Sequence, residues 1–144
     1  MQDLKLAKRI LKERDLTLVV VRKGEIIFEG KSHGINDFLQ AIKKFKKELV
    51  DSAVADRIVG RAAALLCAYS KVASVFAITI SEEGRKVLED WNIFCEFENS
   101  VAHILNYQKT GVCPFEKIAA SLTDPNEAYE KLKTYTPSNN LEEK

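Results

Sequence analysis

The chain has little of what punctuates or cross-links a fold: 6 glycines, 3 prolines and 3 cysteines in 144 residues. So few Gly and Pro residues exclude collagen-like and linker-like architectures, which need roughly a quarter or more of them. Cys67, Cys95 and Cys113 are odd in number and form no C-x-x-C pair. Neither a disulfide framework nor a zinc ribbon is encoded, and all three are expected as reduced thiols. No apolar run reaches the roughly 18 residues of a bilayer span. The opening MQDLKLAKRILKERD is amphipathic and charged, whereas a secretory signal has an apolar core. The expectation is a cytoplasmic protein without membrane contact. A charge excess is missing too, since 22 basic and 21 acidic side chains leave +1. That balance gives no general attraction to nucleic acid, which is not an expected partner. The charge is uneven along the chain: residues 1–50 hold 12 basic and 7 acidic side chains, residues 51–144 hold 10 and 14.

What is present is an ordinary globular composition, 46% hydrophobic and 30% charged. One domain of this size buries roughly 70% of the surface its unfolded chain exposes, whereas two halves would each be marginal. A single domain over residues 1–135 is expected, followed by a flexible polar tail over 136–144. Leu4, Ala7, Ile10 and Leu11 recur at helical spacing, with lysines for the wet face. Leu16 to Val21 is β-branched and apolar throughout, as a strand covered on both faces would be. Lys23-Gly24 turns it into Ile26-Ile27-Phe28, a hairpin. Ile35, Phe38, Leu39, Ile42, Phe45 and Leu49 mark a second helix.

From Ile58 to Tyr69 nearly every residue is small or apolar, so a helix here must be surrounded by protein. Val75 to Ile80 reads as a third strand. Ser81 then caps a helix that carries Val87, Leu88 and Trp91 inward and stops at Asn92. Ile93, Cys95 and Phe97 alternate as a fourth strand. Ser100 caps a helix through Val101, Ile104 and Leu105, and Cys113-Pro114-Phe115-Glu116 and Asp124-Pro125-Asn126-Glu127 open two more. The fold class expected is a three-layer α/β/α domain with a mixed sheet of about four strands.

This order is similar to the cytidine deaminase-like fold. More specifically, Ala55 to Ala64 (ADRIVGRAAA) and the stretch from Asn106 through Gly111-Val112-Cys113-Pro114-Phe115-Glu116 resemble two recurring motifs of an uncharacterised prokaryotic domain family with that fold. The likeness runs from about Leu16 to Leu132. That family usually has Lys where this chain has Arg61, and Arg where it has Tyr107. The resemblance implies a fold and no activity.

Zinc deamination needs a His or Cys two residues before a catalytic Glu, and a P-C-x-x-C pair. Neither occurs: His33 precedes Gly34-Ile35, His103 precedes Ile104-Leu105, and the two helix starts read Gly60-Arg61-Ala62 and Ser81-Glu82-Glu83-Gly84. No metal site and no cofactor are expected. Asp56, Arg57 and Arg61 stand at the start of the apolar helix, where two cations oppose the macrodipole yet suit an anion meeting the free amides. A plainer reading leaves Arg57 in solvent and pairs Arg61 with Asp56 or Glu98. Cys113, at a helix cap, is the candidate nucleophilic or redox thiol, although Glu116 adds charge that opposes a thiolate.

The leading expectation is a metal-free domain that binds a small anionic ligand, a nucleotide or metabolite, through Asp56, Gly60, Arg61, Asn106, Gly111 and Glu116. An enzyme using Cys113 is the alternative. A third reading is an interaction module, a homodimer included, working through the first helix or the Lys43, Lys44, Lys46, Lys47 ridge. That ridge reads by default as a solvated face, with no aromatic side chains among its lysines.

Overall fold

The computed structural model describes residues 2–32, 35–105 and 111–135. Helix α1 (Gln2–Glu13) buries the stripe Leu4, Ala7, Ile10 and Leu11. Strands β1 (Leu18–Arg22) and β2 (Glu25–Gly30) form the expected hairpin. It turns at Lys23-Gly24, where both residues have positive φ, the backbone that matches strand twist in a tight turn. Helix α2 (Asn36–Phe45) follows. The chain then alternates through β3 (Ala53–Val59), α3 (Arg61–Ser70), β4 (Ser74–Ser81), α4 (Glu82–Asp90) and β5 (Phe94–Val101), and closes with α5 (Pro114–Ala119) and α6 (Pro125–Thr134). The sheet order is β2-β1-β3-β4-β5. Its β2/β1 and β1/β3 pairs are antiparallel, while β3, β4 and β5 run parallel. The mixed α/β class expected from the sequence is the one found, with five strands in place of four.

The extra strand is β3. Its residues Ala53-Val54-Ala55-Asp56-Arg57 carry little β propensity, but they lie in the middle of the sheet, with Asp56 opposite Leu18 on one side and Ala77 on the other. Tertiary pairing overrides local preference here. The apolar helix therefore starts at Arg61 and not at Ile58, and Asp56 and Arg57 belong to a strand. Two further expectations are corrected. The segment from Ser100 does not open a helix, because β5 continues to Val101 in register with Ser81, and Leu105 makes a bridge with Val112. Trp91 does not point inward; it is 50% exposed at the end of α4.

Helix α1 covers one face of the sheet, packing on Val19, Val21, Ala55 and Phe76. The first helix's apolar stripe is thus core, 0–5% exposed, and is not a free docking surface. On the other face α2, α3 and α4 meet the sheet, and α5 and α6 contribute to that same core. This position explains the uniform apolarity of α3, whose residues Ala62 to Ala68 are all buried. Because the strand order runs one way from β3 to β5, crossovers of the same hand place α3 and α4 on one face. Both helices therefore begin at the carboxyl edge of the parallel strands, where ligands bind in open α/β sheets. Among the described residues no helix is long and apolar enough to cross a membrane.

Candidate functional site

Gly60, the N-cap of helix α3, has no side chain to cap it, and two of the helix's first amides are satisfied from a residue more than 50 positions away. Arg61 N and Ala62 N donate to the two oxygens of Glu116 on α5, at 2.7 and 2.8 Å. The Arg61 guanidinium reaches the opposite way, donating from Nε to Ala119 O at 2.9 Å and from Nη2 to Leu122 O at 2.5 Å. A carboxylate at the amino end of α3 and a cation at the carboxyl end of α5 each complement a helix dipole. The two helices cap one another. The dipole conflict inferred from the sequence therefore does not arise, and Arg61 bonds to carbonyls and not to Asp56 or Glu98.

Glycine makes this approach possible. A Cβ on Gly60 would overlap the Glu116 carboxylate, and one on Gly84, in α4, would lie 2.9 Å from the Gly60 carbonyl. The starts of α3 and α4 are therefore in backbone contact, with Glu116 laid across the first. At α4, Ser81 is the N-cap, its Oγ accepting from Gly84 N at 3.0 Å. Burial raises the pKa of Glu116, and the amides of Ala62 and Arg61 only partly oppose it.

Beside this junction lies a cavity of about 270 Å³ lined by Ser81, Glu83, His103, Glu116, Lys117 and Val112 among others. A second groove of about 290 Å³ runs along α4 between Arg61, Lys86, Asp90 and Trp91, and Glu83 borders both. Of the residues singled out in the sequence, Gly60, Arg61 and Glu116 are brought together. An added Cβ on Gly111 would meet no atom within 4 Å, and Asn106 lies outside the described residues.

Asp56 belongs to a different neighbourhood. Desolvation pushes its pKa up to about 7 against hydrogen bonds from the Ile58 and Arg57 amides, and the charge on Asp37 adds to the rise. Arg57 is not in solvent: it donates to Leu16 O at 2.5 Å and pairs with Asp15 at 3.0 Å. Cys113 is the N-cap of α5, half-buried, and desolvation raises its thiol pKa above the ordinary range, with Glu116 contributing. Burial also raises Cys67 and Cys95, the latter to about 11. Lys117 was missed in the sequence, and His103 was weighed there only as a zinc ligand. Lys117 follows directly on the second motif, a signal that adjacency alone could have flagged.

A deaminase-type zinc does not fit this edge. The two helix starts supply no His or Cys, and among the described residues no group of three or more His, Cys, Asp or Glu side chains is placed to hold a metal.

No curated protein is detectably similar in sequence. Among solved structures, the crystal structure of a DUF1893 family protein from Thermotoga maritima matches with TM-score 0.85 and 28% identity, over 92% of this chain and 89% of that one. A dCMP deaminase from the cyanophage S-TIM5 matches at TM-score 0.48 and 16% identity, over 67% and 94%. RibD from Acinetobacter baumannii matches at 0.49 and 18%, over 92% and 38%. At that distance a likeness says nothing about chemistry. The family model of TM1506, a domain of unknown function (DUF1893), matches residues 6–136, and the chain belongs to that family.

Proposed function

We propose that the chain is a metal-free binding domain for a small molecule bearing an anionic group, a nucleotide fragment or metabolite, with a regulatory role. The observation that carries this reading is the cavity of about 270 Å³ at the carboxyl edge of β4 and β5, beside the starts of α3 and α4. Small-molecule pockets begin at roughly 300 Å³, so the volume suits a compact ligand and excludes a dinucleotide.

The lining charges fall into two sets. Lys117 attracts an anionic group, to which the His103 imidazole can also donate, while Glu83 and Glu116 accept from neighbouring hydroxyl or amino donors. A ligand carrying both kinds of group side by side meets both sets. The anion expected at the start of α3 is supplied by the chain's own Glu116, so the ligand sits beside that helix start and not on it.

Thermal denaturation against a panel of nucleotides, sugar phosphates and carboxylic acids tests the proposal. A ligand at 100 times its Kd adds about 2.7 kcal/mol. This gain should shrink in Lys117→Ala and His103→Ala proteins. A panel with no stabilising member, or stabilisation untouched by both substitutions, refutes it. Burial pushes the Cys113 thiol up, which disfavours the alternative of a nucleophilic Cys113.

A further inference from the structure

Four exposed lysines, Lys43, Lys44, Lys46 and Lys47, crowd the end of α2 within about 6 Å of helical rise. Among the described residues none of them has an ion-pair partner. Three lysines elsewhere are paired, Lys8 with Glu96, Lys12 with Glu98 and Lys133 with Glu130, so what sets the α2 lysines apart is their density and not their lack of partners alone. Uncompensated like charges repel one another, and their position at a helix carboxyl end offsets only part of this.

The sequence suggested that no aromatic side chain projects among these lysines for base stacking, and the rings nearest them belong to other helices. Lys46 Nζ lies 5.6 Å from the centre of the Tyr69 ring on α3. Tyr69 stacks on Tyr129 of α6, with centres 4.4 Å apart and planes 16° from parallel. Lys133 Nζ lies 5.0 Å from the Tyr129 ring. The α2 ridge thus continues through two half-buried tyrosines to α6, where Lys131 is also exposed. Glu48, Asp51, Glu127 and Glu130 are exposed acidic residues on the same elements or next to them.

We propose that this surface, formed by the ends of α2, α3 and α6, binds the sugar-phosphate backbone of nucleic acid without reading its sequence. Lysine ammonium groups are donors that phosphates require. The Tyr69 and Tyr129 rings are stacked on each other, so they stiffen the surface and leave bases unread. The exposed large apolar side chains among the described residues, Ile26, Ile58, Trp91, Phe94 and Leu105, all lie outside α2, α3 and α6. The face therefore lacks the apolar anchor that a protein hot spot or membrane insertion uses.

A fluorescein-labelled 20-nucleotide oligouridine, read by anisotropy, supplies the test. Contact with about four phosphates predicts that raising salt from about 50 to 200 mM weakens binding about 50-fold. Lys43→Glu/Lys44→Glu/Lys47→Glu should abolish binding at low salt. The milder triple glutamine variant, checked for unchanged Tm, should weaken it at least tenfold. Equal affinity in the glutamine variant, no binding by the unaltered chain at 100 μM, or capture by vesicles of anionic phospholipid in the absence of RNA binding would each overturn the proposal.

Discussion

The mutual capping of α3 and α5 makes a quantitative demand on two residues 56 positions apart. Glu116→Ala removes both acceptors from the Arg61 and Ala62 amides. A hydrogen bond to a charged group contributes about 1.5–3 kcal/mol, and the cost of burying the carboxylate, visible in its raised pKa, offsets part of the pair. The net loss should be about 2–4 kcal/mol, a fall in Tm of about 10 °C for a chain of this length. Gly60→Ala places a methyl group in the space of the Glu116 carboxylate. Gly60 has φ −102°, which alanine adopts freely, so its cost is overpacking alone, about 1–2 kcal/mol. In the double variant the clash has no partner. The loss should then equal that of Glu116→Ala or fall slightly below it, a coupling of at least about 1 kcal/mol, read from urea denaturation of all four proteins. If the two losses add to within about 0.5 kcal/mol, Glu116 does not sit over Gly60 and the account of the junction is wrong.

Three other outcomes follow from the same structure. Gly84→Ala should cost about 1–3 kcal/mol, because its Cβ would meet rigid backbone at 2.9 Å, whereas Gly111→Ala, with open space around it, should stay within about 0.5 kcal/mol; paired Tm values decide this. Asp56, with a folded pKa of about 7 against an ordinary 3.8, ionises earlier in the unfolded chain. Its contribution to stability therefore declines as pH rises from about 4 to 7. Asp56→Asn should gain on the unaltered protein across that window, and denaturation at pH 5 and pH 8 showing a constant difference would contradict it. Cys113 should react with iodoacetamide more slowly than a free thiol at pH 7, while a rate plateau well below pH 8.5 would reveal a thiolate that burial does not allow.

The sequence by itself determined the elements whose signal is local. The α1 stripe, the Lys23-Gly24 turn, the Ser81 and Asp124 caps and the Pro114 helix start each lie within a few residues of the element they define, and the structure has all of them. It also named Gly60, Arg61 and Glu116 as belonging together, though it took their amides to be free for a ligand.

Tertiary structure alone decided the rest. Ala53 to Arg57 becomes a strand because β1 and β4 flank it, and the segment from Ser100 extends β5 because Ser81 is there to pair with Val101. An isolated window contains neither partner. The same holds for charge: whether Arg61 opposes a dipole or complements one depends on which helix end its guanidinium reaches. That distance is set by packing between α3 and α5 and is not written in the spacing of either segment.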